Sequence, residues 1–302
     1  MSLVSMKNLL NHAQKNNYAV GYFESFNMDS MLGVIDAAER KNSPVIIGFG
    51  GQFISSPVRQ VKENIYHYGA IAREVAIRSS VPVAVLLNEA DVESMIYQGI
   101  NAGFQAVMYQ KAGEEFSETV KITKEICRVA HMLEIDVESE VGELPCADIS
   151  TGTQTNGKNT DVSIAKYFVE ETGIDALAVA IGNVHLLENK KANVDFELLS
   201  ELHREIPIPL VLHGGTGMSK EDLQKAIRMG ICKVNVGTVL KRAYIEAVGK
   251  FYTEKEISKI DPHTTIGWGG DEDMISSGRA AISVKVAEFI DTFGSADKAQ
   301  LI

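Results

Sequence analysis

Cysteine is scarce in this chain. Cys127, Cys146 and Cys232 are odd in number and never in CxxC spacing, which excludes a disulfide scaffold and a thiolate zinc ribbon and leads us to expect reduced thiols in a cytoplasmic protein. Long apolar runs are missing too: none approaches the roughly 18 residues that span a bilayer, so no membrane partner is expected. Positive charge is in deficit. Twenty-nine Lys and Arg face 40 Asp and Glu, for a net charge of −11, which argues against a general affinity for nucleic acid while leaving room for a local anion site. Met1-Ser2-Leu3 has no signal-peptide character. There is no low-complexity tract, no obvious linker, and no GxGxxG after the first apolar run, which lowers the case for a dinucleotide-binding sheet.

What the chain does have is repetition. Short apolar runs alternate with longer stretches of helical period about eight times. The runs are Tyr18 to Ser25, Pro44 to Gly51, Val81 to Glu89, Ala106 to Lys111, Asp136 to Gly142, Ala176 to His185, Pro209 to His213, and Lys233 to Gly237. Helices are expected from about Asp29 to Lys41, Val61 to Ser80, Asp91 to Ala102, around Val120 to Leu133, Asp161 to Thr172, Asp195 to Glu205 and Thr238 to Thr253, with a closing amphipathic helix from about Ser277 to Phe293. Each apolar run is continuous rather than alternating, as for strands covered on both faces. Eight such units within 302 residues fit a single-domain (β/α)8 TIM barrel over residues 1–302 better than a doubly wound sheet.

In a barrel the chemistry lies at the carboxyl ends of the strands. Those ends carry Glu24, Asn88 with Glu89, Gln110 with Lys111, Glu138 with Glu140, His185, His213 and Asn235. His185 and His213 end consecutive strands, where two imidazoles can share one ion. Two histidines and a carboxylate form a common catalytic zinc set with an open position. The turn Gly214-Gly215-Thr216-Gly217 and the segment Asn235-Val236-Gly237-Thr238 end strands seven and eight. Glycines there let the backbone approach a ligand, and Thr216 and Thr238 offer hydroxyl donors, so Gly214, Thr216, Asn235, Gly237 and Thr238 are candidate phosphate contacts. A helix start is expected at once after the turn, with Ser219 and Asp222 at capping-box spacing.

Taken in order, the motifs resemble one family, the class II (metal-dependent) ketose-bisphosphate aldolases. Gly103-Phe104-Gln105-Ala106-Val107-Met108, Val137-Glu138-Ser139-Glu140-Val141-Gly142, Asp175-Ala176-Leu177-Ala178-Val179-Ala180-Ile181-Gly182-Asn183-Val184-His185, Leu212-His213-Gly214-Gly215-Thr216-Gly217 and Lys233-Val234-Asn235-Val236-Gly237-Thr238 are each similar to a family segment. The resemblance implies retro-aldol cleavage of a phosphorylated ketose through an enediolate, with a divalent metal, a small phosphorylated sugar as substrate, and His185 and His213 as metal ligands.

The departures are as informative. The family's third strand ends in Leu-His-Leu-Asp-His-Gly, supplying an acid/base aspartate and a third zinc histidine. Here Val85-Leu86-Leu87-Asn88-Glu89-Ala90 stands in its place. Asn88 cannot take a proton. Glu89 retains a metal-binding carboxylate, giving Glu89, His185 and His213 as the expected set, suited to Zn2+ but also to Fe2+, Mn2+ or Co2+. If the site still moves protons, Glu140 or Glu24 is the expected base. Two alternatives share the scaffold: an epimerase or isomerase working through the same enediolate, and a catalytically silent phosphosugar-binding homologue. The terminal helix and the family habit point to a homodimer or homotetramer.

Overall fold

The computed structural model describes residues 2–142, 157–183, 194–254 and 256–301. Eight parallel strands close into a barrel in sequence order: β1 (Val20–Glu24), β2 (Val45–Gly50), β3 (Val83–Ala90), β4 (Ala106–Tyr109), β5 (Asp136–Val141), β6 (Ala176–Val179), β7 (Leu210–Leu212) and β8 (Ile231–Val236). The helices among the described residues are α1 (Met6–Lys15), α2 (Met28–Arg40), α3 (Gly51–Ser55), α4 (Ile65–Arg78), α5 (Glu93–Ala102), α6 (Phe116–Met132), α7 (Val162–Thr172), α8 (Phe196–Glu205), α9 (Lys220–Arg228), α10 (Thr238–Glu254), α11 (Pro262–Thr265) and α12 (Met274–Phe293). The expected (β/α)8 architecture with an extra C-terminal helix is what the chain forms.

Every strand residue is buried, the physical reason the runs read as continuous: one face meets the helices and the other fills the barrel. The helix side holds the larger apolar cluster, including Val34, Ile47, Val85, Leu177, Leu212 and Ile282. The barrel interior is filled by Val20, Tyr22, Ile46, Leu86, Met108, Ala178 and Val211, and α1 adds Met6, Leu9 and Leu10 from below. Local chemistry sets the helix ends. Asn27 and Ser30 form a reciprocal capping box on α2, Asp161, Asp195 and Asp273 cap α7, α8 and α12, and Gly103, Gly173 and Gly294 take left-handed backbone just past α5, α7 and α12.

Four expectations need correction. Helix α1 was not anticipated; its apolar face reads as an isolated amphipathic stretch until the barrel floor is there to cover it. The second helix starts at Ile65, capped by Asn64, rather than at Val61, and the short α3 precedes it. The helix after β7 does not begin at once: a 3-10 turn over Gly215–Gly217 intervenes, and Ser219 then caps α9 by accepting from Asp222 N at 3.1 Å. Finally β6 stops at Val179, not at His185. His185 and the greater part of the polar loop expected over Glu143 to Thr160, including Cys146, lie outside the described residues. Cys127 and Cys232 are buried free thiols.

Candidate active site

Because all strands run the same way, their carboxyl ends gather at one mouth. Side chains alternate along a strand, so Glu138 and Glu140 of β5 share the inner face. His213 follows β7 directly and is fully buried. Its Nε2 lies 3.1 Å from Glu138 Oε1, while its Nδ1 faces Glu89 Oε1 at 3.0 Å and Glu140 Oε2 at 3.8 Å. Asn183 Nδ2 donates to the His213 carbonyl at 2.7 Å and Asn183 Oδ1 accepts from Ile181 N. The loop that leads from β6 toward His185 is thereby tied to the His213 backbone.

Glu89 reaches this cluster by an irregular route. In β3, Ala84 and Leu86 face the barrel interior and Leu87 the helices, so plain alternation would send residue 89 toward the helices. Instead Glu89 has φ +47° and the register against β4 shifts between Leu87 and Ala90. A bulge of this kind re-aims a side chain, and left-handed backbone at a non-glycine residue costs about 1–2 kcal/mol. Gln52, at the head of α3, donates from Nε2 to Glu89 Oε2 at 2.5 Å.

Beneath His213 sits Lys233, the only lysine or arginine among the described residues that is buried. Its Nζ lies 2.9 Å from each carboxylate oxygen of Glu138, donates to Asn235 Oδ1 at 2.7 Å, and stands 5.1 Å from the Tyr22 ring centre. The register of β8 against β7 slips here, Leu210 pairing with Ile231 but Val211 with Lys233, and this places Lys233 on the inner face.

The electrostatics follow from these contacts. Burial works against the His213 imidazolium, but the hydrogen bonds to Glu138 and Glu89 and the charges of Glu89 and Glu140 prevail and raise it to about 9. Burial pushes Glu140 up to about 7; the nearby Glu89 and Glu138 add to this, against the pull of His213 and the Gln110 hydrogen bond. Glu138 is also penalised by burial, yet Lys233 and His213 hold it below the usual carboxylate range. Lys233 is lowered by burial, with Glu138 opposing. Several buried polar atoms have no hydrogen-bond partner among the described residues: Glu140 Oε1, Asn88 Oδ1 and Asn235 Nδ2. Gln110 Nε2 holds the other oxygen of Glu140 at 2.9 Å.

Glu24 ends β1 on the far side of the mouth, with Oε2 2.7 Å from Lys241 Nζ on α10. Burial raises its carboxyl and Lys241 opposes. A Cβ on Gly237 would stand 2.7 Å from Glu24 Oε2, so a side chain there would push that carboxylate aside. Gly214 adopts φ +64°, which lets the backbone turn sharply after His213. Lys111 lies at the rim, half exposed and paired with Glu114 at 3.1 Å.

The structure thus brings Glu89, His213, Glu138 and Glu140 together, with Asn88 and Asn235 beside them and Glu24 at the opposite edge. Among the described residues no three His, Cys, Asp or Glu side chains make a ready metal-ligand group; His185, the remaining expected ligand, lies outside them. The chemistry of the donors nonetheless suits a divalent ion. Metal–ligand bonds of about 2.0–2.2 Å in a tetrahedron place neighbouring donors about 3.4 Å apart, and the 3.0 and 3.8 Å separations around His213 Nδ1 bracket that value. The orphaned Glu140 Oε1 adds an acceptor in want of a partner. Sequence reading missed Lys233, Gln52 and Asn183. Lys233 reads as the hydrophilic start of a strand that in fact begins two residues earlier at Ile231, and nothing in the local pattern marks the other two.

Comparison with known proteins agrees with this fold. The fold of the YdjI aldolase from Escherichia coli K12 is similar at TM-score 0.79 with 30% identity, over 98% of this chain and 99% of that one. The fructose-bisphosphate aldolase of Campylobacter jejuni shares the fold at TM-score 0.78 and 19% identity, over 98% and 97% of the two chains. Among the described residues no helix is long and apolar enough to cross a membrane. The sequence profile of fructose-bisphosphate aldolase class-II matches residues 4–298, and with that span covered the chain belongs to the class-II fructose-bisphosphate aldolase family of carbon–carbon lyases.

Proposed function

We propose that this protein is a divalent-metal-dependent aldolase that cleaves and re-forms a phosphorylated ketose, with Glu89, His185 and His213 holding the ion and Glu140 moving the proton. The observation that carries the reading is the convergence of Glu89 and Glu140 on His213 Nδ1 at the barrel mouth. A glutamate whose backbone is strained to reach an imidazole fits a ligand better than a filler of space. A bound Zn2+, Fe2+, Mn2+ or Co2+ would supply Lewis acidity toward a substrate carbonyl.

The chain's own residues do the rest. Glu140 stands 3.8 Å from His213 Nδ1, with one oxygen held by Gln110 and the other unpartnered, the arrangement of a carboxylate that accepts a substrate proton and returns it. Asn88 occupies the place of the family's aspartate, and its amide orients a substrate oxygen without proton exchange. Asn235 Nδ2 is a buried donor in want of an acceptor. Gly214 and Thr216 after β7, and Gly237 and Thr238 after β8, receive the phosphate. Lys241 supports the anion at that end and offsets the charge of Glu24. Glu24 is engaged by that ion pair, so it serves in recognition, and Glu140 takes the proton. Cytoplasmic residence and a homo-oligomeric state complete the proposal.

The test is retro-aldol turnover of a panel of phosphorylated ketoses by chelator-treated protein reloaded with each metal, with products followed by NMR. Appearance of two shorter carbon chains, dependent on added metal, supports it. Products of unchanged carbon number would reassign the chemistry to isomerisation, and binding without turnover would leave a phosphosugar receptor.

A further inference from the structure

The site just described does not account for Lys233, whose burial is extreme. A lysine with no exposed surface has given up the hydration of its ammonium group, a large cost unless its contacts are built around it. Those contacts run in two directions, and donor and acceptor identities fix the sense of each. An ammonium only donates. Glu138 Oε1 therefore accepts from Lys233 Nζ at 2.9 Å, and it also meets His213 Nε2 at 3.1 Å. An oxygen committed as an acceptor to Lys233 also accepts from His213, so Nε2 keeps its proton in every state, and the second proton of the metal-free ring, on Nδ1 facing Glu89 and Glu140, is the one an arriving ion displaces. On the other side Nζ donates to Asn235 Oδ1 at 2.7 Å. That assigns the amide oxygen of Asn235 to Lys233 and leaves its Nδ2 as the buried donor without a partner among the described residues.

We propose that Lys233 is a positioning residue that sets two groups at once: through Glu138 it fixes the His213 tautomer that offers Nδ1 to the metal, and directly it turns the Asn235 amide so that Nδ2 faces the substrate. The inference rests on the proposed metal-dependent reading and adds to it a residue that touches neither ion nor substrate.

The experiment uses full-length protein freed of metal by chelation and titrated with Co2+, read by its visible absorption, with the thermal midpoint of each metal-free protein measured alongside. Lys233→Met keeps the length and removes the donors. It is expected to weaken Co2+ binding about 10- to 100-fold, the usual effect of losing a group that orients a ligating histidine, and to alter the Co2+ absorption bands. Glu138→Gln should weaken binding over the same range. If Lys233→Met does not fold, the double variant Lys233→Met with Glu138→Gln, which leaves no buried charge unpaired, is read in its place and is expected to fold and to bind Co2+ as weakly as Glu138→Gln. Co2+ affinity within twofold of the wild type, with unchanged bands, in folded Lys233→Met or in the double variant overturns the role of Lys233 and leaves the metal site standing. Failure of the wild-type protein to bind Co2+ overturns the site itself, and the role of Lys233 with it.

Discussion

The two ends of the barrel are built from the same strands and hold the same kinds of side chain, yet they differ in one respect. At the floor, Asp136 opens β5 and accepts from Ser5 Oγ and Lys7 N, at 2.8 and 2.9 Å. Asp175, just before β6, accepts from Lys7 Nζ, Val137 N and His131 Nε2 at 2.8 to 2.9 Å. Their acceptor oxygens are spent on docking α1 and α6. At the mouth, β5 continues into Glu138 and Glu140, and there buried atoms of Glu140, Asn88 and Asn235 wait without partners among the described residues. Gln105 Oε1 at the floor also lacks a partner among the described residues, but the floor's carboxylates are engaged while Glu140 at the mouth keeps an unpartnered oxygen. Buried polar groups are nearly always satisfied, so the floor aspartates serve cohesion and the mouth carries capacity for a ligand. Size alone would mislead: a cleft of about 840 Å³ lies at the floor beside α1, lined by Lys7, Arg73, His131 and both aspartates.

This contrast predicts that changes at the mouth cost turnover and changes at the floor cost stability. The largest effect belongs to Glu140→Gln, which should lower retro-aldol kcat by about 10²- to 10⁴-fold, the range for loss of an acid/base group, with the melting temperature unchanged or raised because a buried carboxylate is neutralised. A fall of less than tenfold would break the contrast at its strongest point. Next, Asp175→Ala should destabilise the fold by about 1–3 kcal/mol, the cost of leaving the buried Val137 N–H without its acceptor, while turnover per folded molecule stays at the wild-type value. Denaturant melts and active-site titration check both halves.

A finer test isolates the strain at Glu89. Glu89→Gly and Glu89→Ala both remove the carboxylate and should both abolish metal binding. The glycine variant should nonetheless be the more stable by about 1 kcal/mol, since only the alanine keeps a Cβ at positive φ. Equal melting midpoints would show that the bulge stores no strain. The smallest effect is at the floor surface. Lys7 is raised above its ordinary 10.5, by its hydrogen bond and attraction to Asp175 against the cost of burial. A raised cationic group favours the fold fully below about pH 10.5 and loses that contribution as pH climbs through the higher folded value. Because the side chain is half exposed, Lys7→Met should cost only about 0.5 kcal/mol at neutral pH, and the difference from wild type should vanish in melts above that range.

Much of the architecture is legible in the sequence. Eight continuous apolar runs separated by helical stretches admit few arrangements, because a strand buried on both faces needs helices outside and neighbours on either side. His213 and the glycine turn after it were legible for the same reason: a polar residue directly after a short apolar run marks the strand end. Glu24, Glu138 and Glu140 followed from position too. The limit shows at β3 and β8. Counting by alternation puts Glu89 on the helix side, and it reaches His213 only because a bulge turns it. Lys233 sits deep inside only because β8 starts earlier than its polarity suggests and slips in register against β7.

The order of elements, the closed parallel barrel and the strand-end polar groups were determined by the sequence itself, since they rest on period and polarity, which are local properties. Which carboxylate faces which nitrogen, which lysine is dry, and which amide keeps a spare proton were decided by tertiary structure alone. Those depend on register slips, on a backbone held at positive φ by its surroundings, and on contacts between residues as far apart in the chain as Glu138 and Lys233, and no local pattern encodes a distance across a barrel.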